Sequence, residues 1–297
     1  MSDGTDKFQH AAPSGAGKWR VPVLGRLFRR APLVTLLRLG GVIGALGPLR
    51  SGLTLANLAE PIERAFKPSR LAAVALVVNS PGGSPVQSDL IAQRIRDLAE
   101  EKKVPVYAFC EDVAASGGYW LASAADEILA RETSIVGSIG VVSAGFGFPA
   151  LLERVGVERR VYTSGDKKAL LDPFRPEKEE DIAHLKTIQR EIHERFKHQV
   201  RSRRGSRLAA SDEELFSGAF WTGAKAKELG LVDAIGEPRR TLRERYGKKV
   251  QFRLYGVQRS WWRRRLGGSV EPAPPADWAA SLLSAVEERA LWSRYGL

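Results

Sequence analysis

The stretch AAVALVVNSPGGSPVQSDLIAQRIRDLAEEKK, residues 72–103, decides the fold class. It opens on Ala, Val and Leu alone, a short continuous apolar run of the kind that a strand covered on both faces requires. Ser-Pro-Gly-Gly-Ser-Pro then breaks the run with turn residues. SDLIAQRIRDLAEEKK follows and sets Leu90, Ile91, Ile95 and Leu98 along one helical stripe. The unit is a buried strand, a turn and a helix.

Working outward, the same alternation continues. VPVYAFC reads as the next strand, GGYWLASAA as a short buried helix, DEILA as a strand, FPALLERVG as a helix and ERRVYTS as one more strand. Such alternation predicts an α/β protein with a largely parallel sheet. Upstream, Val34 to Leu49 is apolar, but Arg38 and four glycines interrupt it. It is shorter than the roughly 20 residues a membrane-spanning helix needs, so VTLLRLGGVIG reads as a first buried strand before a Gly/Pro-rich loop. A long helix is expected from near Glu177, with acids in its first turn and the basic RSRRG at its end, as the helix dipole prefers. Ile182, Leu185, Ile188, Ile192, Phe196 and Val200 form its apolar stripe.

Composition bounds the function. The 297 residues, 43% of them hydrophobic, are enough for one large core or two small ones. Forty-six Lys+Arg against 34 Asp+Glu give a net charge of +12, which favours an anionic surface. The bases gather at the periphery, in RRAP, RRTLRERYGKK and RSWWRRRLGG, and no nucleic-acid-binding motif accompanies them. Specific nucleic-acid binding is therefore not expected. The first 20 residues are polar and carry early acids, unlike a secretory signal. One cysteine, Cys110, rules out an intrachain disulfide or a cysteine-rich zinc site and reads as buried filler. The chain fits a reducing compartment.

Chemistry concentrates in EDVAASGGYW, residues 111–120, where Ser116 stands between small residues directly before two aromatics. A serine nucleophile needs a base, and histidine is scarce. His10 lies in the polar start, while His184, His193 and His198 share the long helix at spacings of nine and five, which do not stack a metal pair; they read as solvated or packed. Lysine is the usual substitute when burial leaves it partly unprotonated. TSGDKKALLDPF offers Lys167 and Lys168 before an apolar Ala-Leu-Leu. VVNSPGGSP, residues 77–85, leaves a backbone N–H clear of side chains at a helix start, the makings of an oxyanion hole whose second donor is the Gly117 N–H.

Together NSPGGSPVQS, EDVAASGGYWLASAADEILA, SIVGSIGVVSA, SGDKKALLDPF and FWTGAKAKELGLVDAIG resemble the signal peptide peptidase A / SohB family of serine peptidases, peptidase family S49. The likeness runs in order from about Val34 to Gly236. It implies an α/β, ClpP/crotonase-like fold with repeated β-β-α units and a Ser-Lys dyad cutting peptide bonds through an acyl-enzyme. The family's nucleophile matches Ser116, its oxyanion glycines Gly83 and Gly117, and its general base Lys168, with Lys167 a solvent-facing neighbour. Ser138 matches a position that hydrogen-bonds the catalytic lysine. The resemblance implies peptide or protein substrates, no metal and no organic cofactor.

In short, single-domain relatives the serine and lysine of one site come from neighbouring protomers, so a homo-oligomeric ring is expected here. The chain departs from the family in having no recognisable amino-terminal anchor and no duplicated half. The expected organisation is a polar and basic tail over 1–30, a peptidase domain over 31–250 and a basic, Pro-containing extension over 251–297 with an amphipathic helix. With Trp261, Trp262 and Arg263 to Arg265, that extension suits peripheral contact with an anionic membrane, and the expected location is the cytoplasm or the face of the inner membrane. Two alternatives are a crotonase-like acyl-CoA enzyme and a non-catalytic basic scaffold at a membrane. Neither gives a positioned Ser-Lys pair a purpose.

Overall fold

Residues 72–80 form the strand that their composition predicts, and the sheet is built around it. The structure is a computed structural model that describes residues 31–45, 52–165, 167–256, 286 and 288–297. Strand β1 (Leu33–Gly40) and β3 (Val106–Ala115) flank β2 (Leu71–Ser80), both parallel to it. β3 is long enough to serve two neighbours on one side. Tyr107 to Cys110 pair with β4 (Glu127–Ala130), and Val113 to Ala115 pair with β5 (Ile135–Gly137). β6 (Phe220–Thr222) lies antiparallel on β5, β7 (Ala234–Ile235) parallel on β4, and β8 (Gln251–Gly256) parallel on the far side of β1. The main path is β6-β5-β3-β2-β1-β8.

The apolar run is continuous because both faces of β2 are buried. Val74, Leu76 and Val78 join the larger core beneath α1 (Leu55–Phe66), α2 (Pro85–Lys102) and α3 (Gly117–Ser123). Ala73, Ala75 and Val77 point the other way, into a smaller cluster that includes Leu242 of α8 (Pro238–Tyr246). Period-two alternation assigns each set to its face. Cys110 is buried, as expected, and burial pushes its thiol up to about 12.

Helix α2 starts where the Ser84 hydroxyl accepts the Gln87 N–H and Pro85 occupies the first turn. It ends where Lys103, at φ 52°, turns its N–H back onto Ala99 and Glu100. Ile91, Ile95 and Leu98 are buried as expected, but Leu90 is exposed. The true stripe takes in Ser88, Ala92 and Ala99, whose small side chains allow close approach to α3. β1 likewise ends at Gly40, earlier than expected, because Gly41 turns the chain at φ 108° and leaves Ile43 in single bridges to Leu53 and Gly83.

The arm after residue 141 departs most from expectation. ERRVYTS forms no strand, since nothing among the described residues runs beside it to complete a ladder, and Tyr162 is 91% exposed. α4 (Pro149–Val155) buries no residue, and Phe146 is 81% exposed. The long helix, α5 (Glu179–Arg204), carries its acids and bases at the expected ends, but only Phe196 and Val200 of its apolar stripe are buried. Its amino-terminal half buries no residue. α6 (Asp212–Leu215) and α7 (Gly223–Glu228) complete the body.

The final described residues, 288–297, return to the mouth of the cavity described below. The cluster Trp261 to Arg265 lies outside the described residues. Among the described residues, no helix is long and apolar enough to cross a membrane.

Candidate active site

Ser116 occupies the sharp turn between β3 and α3 with φ 52° and ψ −123°, a backbone conformation that non-glycine residues rarely adopt. Holding such a residue takes roughly 1–3 kcal/mol, which the surroundings must offset. Two hydrogen bonds do so locally. The Ser116 N–H donates to Gly137 O at 2.8 Å, and its carbonyl accepts the Trp120 N–H at 3.0 Å. Buried Tyr119 and Trp120 then anchor the helix, with the Tyr119 hydroxyl donating to Leu231 O and Trp120 stacked on Phe196 of α5.

The glycines around this turn are explained by backbone meeting backbone. A Cβ on Gly82 would lie 2.7 Å from Ser116 Cβ and 2.8 Å from Gly117 N. On Gly83 it would meet Ile43 O at 2.0 Å, and on Gly118 Ser80 O at 2.4 Å. Ile43 fixes the 82–84 turn from behind, its N–H donating to Gly82 O and its carbonyl accepting the Ser84 N–H, each at 2.8 Å. Neither the Gly83 nor the Gly117 N–H donates a hydrogen bond among the described residues. Two donors therefore stand unused beside Ser116.

A cavity of about 610 Å³ opens over this turn, and Gly83, Ser116, Ser138, Gly140, His193 and Gly218 line it. Ser138 sits just past β5 at φ 53°, its N–H donating to Ala219 O at 2.6 Å. The Tyr295 hydroxyl donates to Ser138 Oγ at 3.3 Å, and Tyr295 packs edge-on against Phe220, so the end of the chain narrows the mouth. Of the residues singled out from sequence, Ser116, Gly83, Gly117 and Ser138 are thus gathered at one place.

Lys168 is not among them. It is exposed on the arm, its N–H donating to Gly165 O, and it does not line the cavity. The arm is internally organised: the Asp172 carboxylate faces Arg159 at 3.2 Å and accepts the Phe174 N–H, while Arg159 lies over the Phe174 ring.

Sequence reasoning missed two residues at the site. Gly82, which touches Ser116, could not be told from its neighbour Gly83. His193 was read with the other helix histidines, yet it reaches the cavity wall, where its Nε2–H donates to Ile139 O at 3.1 Å. Behind the site, buried Arg204 holds Asp233 through two hydrogen bonds of 2.7 and 2.9 Å and also donates to Gly230 O. Burial pushes the Asp233 carboxyl up, but Arg204, the Ile128 N–H and Arg207 together bring it below the usual range.

Residues 98–250 match Peptidase family S49. The chain is 53% identical over 272 residues to a Brucella abortus protein named Na(+)/H(+) antiporter NhaA, covering 89% of this chain and 37% of that protein. It is 34% identical over 228 residues to the chloroplastic serine protease SPPA of Arabidopsis thaliana, covering 75% and 33%. It therefore spans about a third of the length of these curated relatives. Among solved structures, a mutant of the 1510-N membrane-bound stomatin-specific protease aligns with a TM-score of 0.46 and 15% identity over 76% of this chain and 98% of that one. With more than half of its residues matching the family, this chain belongs to peptidase family S49.

Proposed function

We propose that the chain is a serine endopeptidase whose working site joins Ser116 of one copy to Lys168 of a neighbour. The observation that carries this reading is Ser116 itself: a serine held in strained backbone at a strand-to-helix turn, open to a cavity, with the two unused N–H groups of Gly83 and Gly117 beside it. Lys168 takes the proton from Ser116 Oγ, Oγ attacks the peptide carbonyl, and the two N–H groups hold the negative charge that develops on its oxygen. The amine leaves with the proton from Lys168. Water, deprotonated by the same lysine, then releases the acyl-enzyme. Ser138 orients the lysine amine, and no metal or organic cofactor takes part.

The case for a second copy rests on where the lysine lies. Within one chain Lys168 does not line the Ser116 cavity, and the arm that carries it exposes Phe146, Leu151, Val155 and Tyr162. An exposed apolar surface of this kind suits a protein partner, and a second copy of this chain supplies both the cover and the base. The test is a fluorophosphonate probe followed by mass spectrometry of the labelled peptide, run beside a peptide-cleavage assay. Labelling of Ser116 with cleavage supports the reading, whereas an unlabelled Ser116 overturns it.

A further inference from the structure

We propose that His193 is a positioning residue that fixes the Ile139–Val142 backbone as the ledge along which a substrate peptide lies beside Ser116. This rests on the peptidase reading above and assigns a role within the same site. His193 projects from α5 between two backbone segments that line the cavity, one running through Gly140, Val141 and Val142, the other through Ser217 and Gly218. A carbonyl can only accept, so the 3.1 Å contact with Ile139 O places the ring proton on Nε2. The backbone of Phe216, directly before the second segment, also faces the ring. The imidazole therefore gives its one ring proton to the Ile139 wall, and it is spent there, not aimed at Ser116 as a base.

The ledge has few other supports. At its start the Ser138 N–H reaches Ala219 O, and Gly140 approaches Gly218 so closely that an added Cβ would lie 3.1 Å from Gly218 Cα. Beyond that point, among the described residues, the N–H groups of Gly140, Val141 and Val142 donate to no backbone carbonyl, and Val142 is exposed. A row of unpaired backbone groups next to a nucleophile is what an extended peptide pairs with. Such a row binds well only if it is held still, since any ordering left until the substrate arrives subtracts from affinity. Burial lowers the His193 pKa, and the charges near it on α5, Lys197 and Glu194, pair with each other at 2.7 Å, so the neutral, Nε2-protonated ring is the working form.

The test separates substrate binding from chemistry in the full chain. Steady-state cleavage of an extended peptide reads KM and kcat, and the labelling rate of Ser116 with a small fluorophosphonate reads the nucleophile without the ledge. His193→Ala should raise KM several-fold, up to about tenfold for one lost hydrogen bond, with kcat and labelling within about twofold of wild type. His193→Gln, whose amide N–H can reach Ile139 O, should restore most of the KM. His193→Phe keeps the ring but has no donor, and it should behave like the alanine variant, which keeps the comparison open if alanine fails to fold. An unchanged KM in His193→Phe, or loss of labelling in His193→Gln as well, overturns the proposal. A wild-type chain that neither labels nor cleaves overturns instead the peptidase reading on which it rests.

Discussion

Adding one methyl group at Gly82 tests whether the turn around Ser116 is as tightly determined as its geometry indicates. In Gly82→Ala the new Cβ would lie 2.7 Å from Ser116 Cβ, 2.8 Å from Gly117 N and 3.0 Å from Ala115 O, at a backbone φ of 101°. None of these three atoms is the free end of a flexible side chain. Ser116 is held by Gly137 and Trp120, and the 81–84 turn by Ile43, so ordinary contact needs a shift of roughly 0.7 Å or more between two braced segments. The left-handed φ contributes about 1–3 kcal/mol and overpacking about 1–3 kcal/mol more. That sum lies within the 5–15 kcal/mol stability of an ordinary domain, so the variant should fold with a lowered melting temperature.

Activity should suffer more than stability. A displacement approaching 1 Å between the nucleophile and an oxyanion donor reduces rate by about 100-fold. Gly41→Ala is the control, because Gly41 has nearly the same φ, 108°, with nothing within 4 Å of the added atom. It should share the loss from backbone strain yet keep cleavage within a few-fold of wild type. The assay is kcat/KM on a peptide together with the rate of Ser116 labelling, both at a temperature where circular dichroism shows each variant folded. Wild-type labelling in Gly82→Ala, or equal losses in both variants, refutes the steric argument.

Ser116→Ala and Lys168→Ala should each abolish cleavage while Lys167→Ala retains most of it, as peptide assays on the three will show; the reverse behaviour of the two lysines reverses their assignment. Asp233→Asn leaves Arg204 buried without its counter-charge, and urea unfolding at neutral pH should show a loss of about 3–5 kcal/mol. Because Asp233 titrates below its ordinary value when folded, that stabilisation is complete above about pH 4 and fades as pH falls through the folded value, so a gap between variant and wild type that stays constant into acid contradicts it. The Trp261 to Arg265 cluster should bring the chain to anionic vesicles and not to neutral ones, and salt should weaken binding; sedimentation with both vesicle types, or with neither, counts against membrane contact.

What the sequence discloses about this fold depends on how far apart the relevant residues are. β2 is readable because its two-sided burial is written in consecutive residues. The helix Leu55–Phe66 is obscured by Pro61 in its interior, which local rules count against a helix. β8 gains its place only from pairing with β1, more than 200 residues away, so QFRLYG gives little local sign of belonging to the sheet. The same rule governs the site. Ser116 and its glycines are conspicuous because the turn needs small residues at adjacent positions. His193 is not, because a test for metal pairs asks how helix histidines sit relative to one another, whereas what matters here is a carbonyl 54 residues away. ERRVYTS misleads for the opposite reason, having a strand's composition without a pairing neighbour among the described residues.

That missing neighbour bears on where the proposed dyad would form. The arm from 141 to the start of α5 leaves Phe146, Leu151, Val155 and Tyr162 exposed, and it carries Lys168, while no lysine lines the cavity at Ser116. If a second copy covers the arm, one contact buries the exposed side chains and brings the amine to the serine. Assemblies made only of Ser116→Ala chains have lysines without nucleophiles, and those made only of Lys168→Ala chains have nucleophiles without bases. In a mixed assembly some interfaces join an intact Ser116 to an intact Lys168 from the next chain. Co-expressing the two inactive variants, or unfolding and refolding them together, should therefore recover a measurable fraction of wild-type cleavage. Mass spectrometry of the intact assemblies must show both chains in one particle. Mixed particles with no recovered activity would mean that each chain closes its own site, by a movement of the arm back over its own cavity.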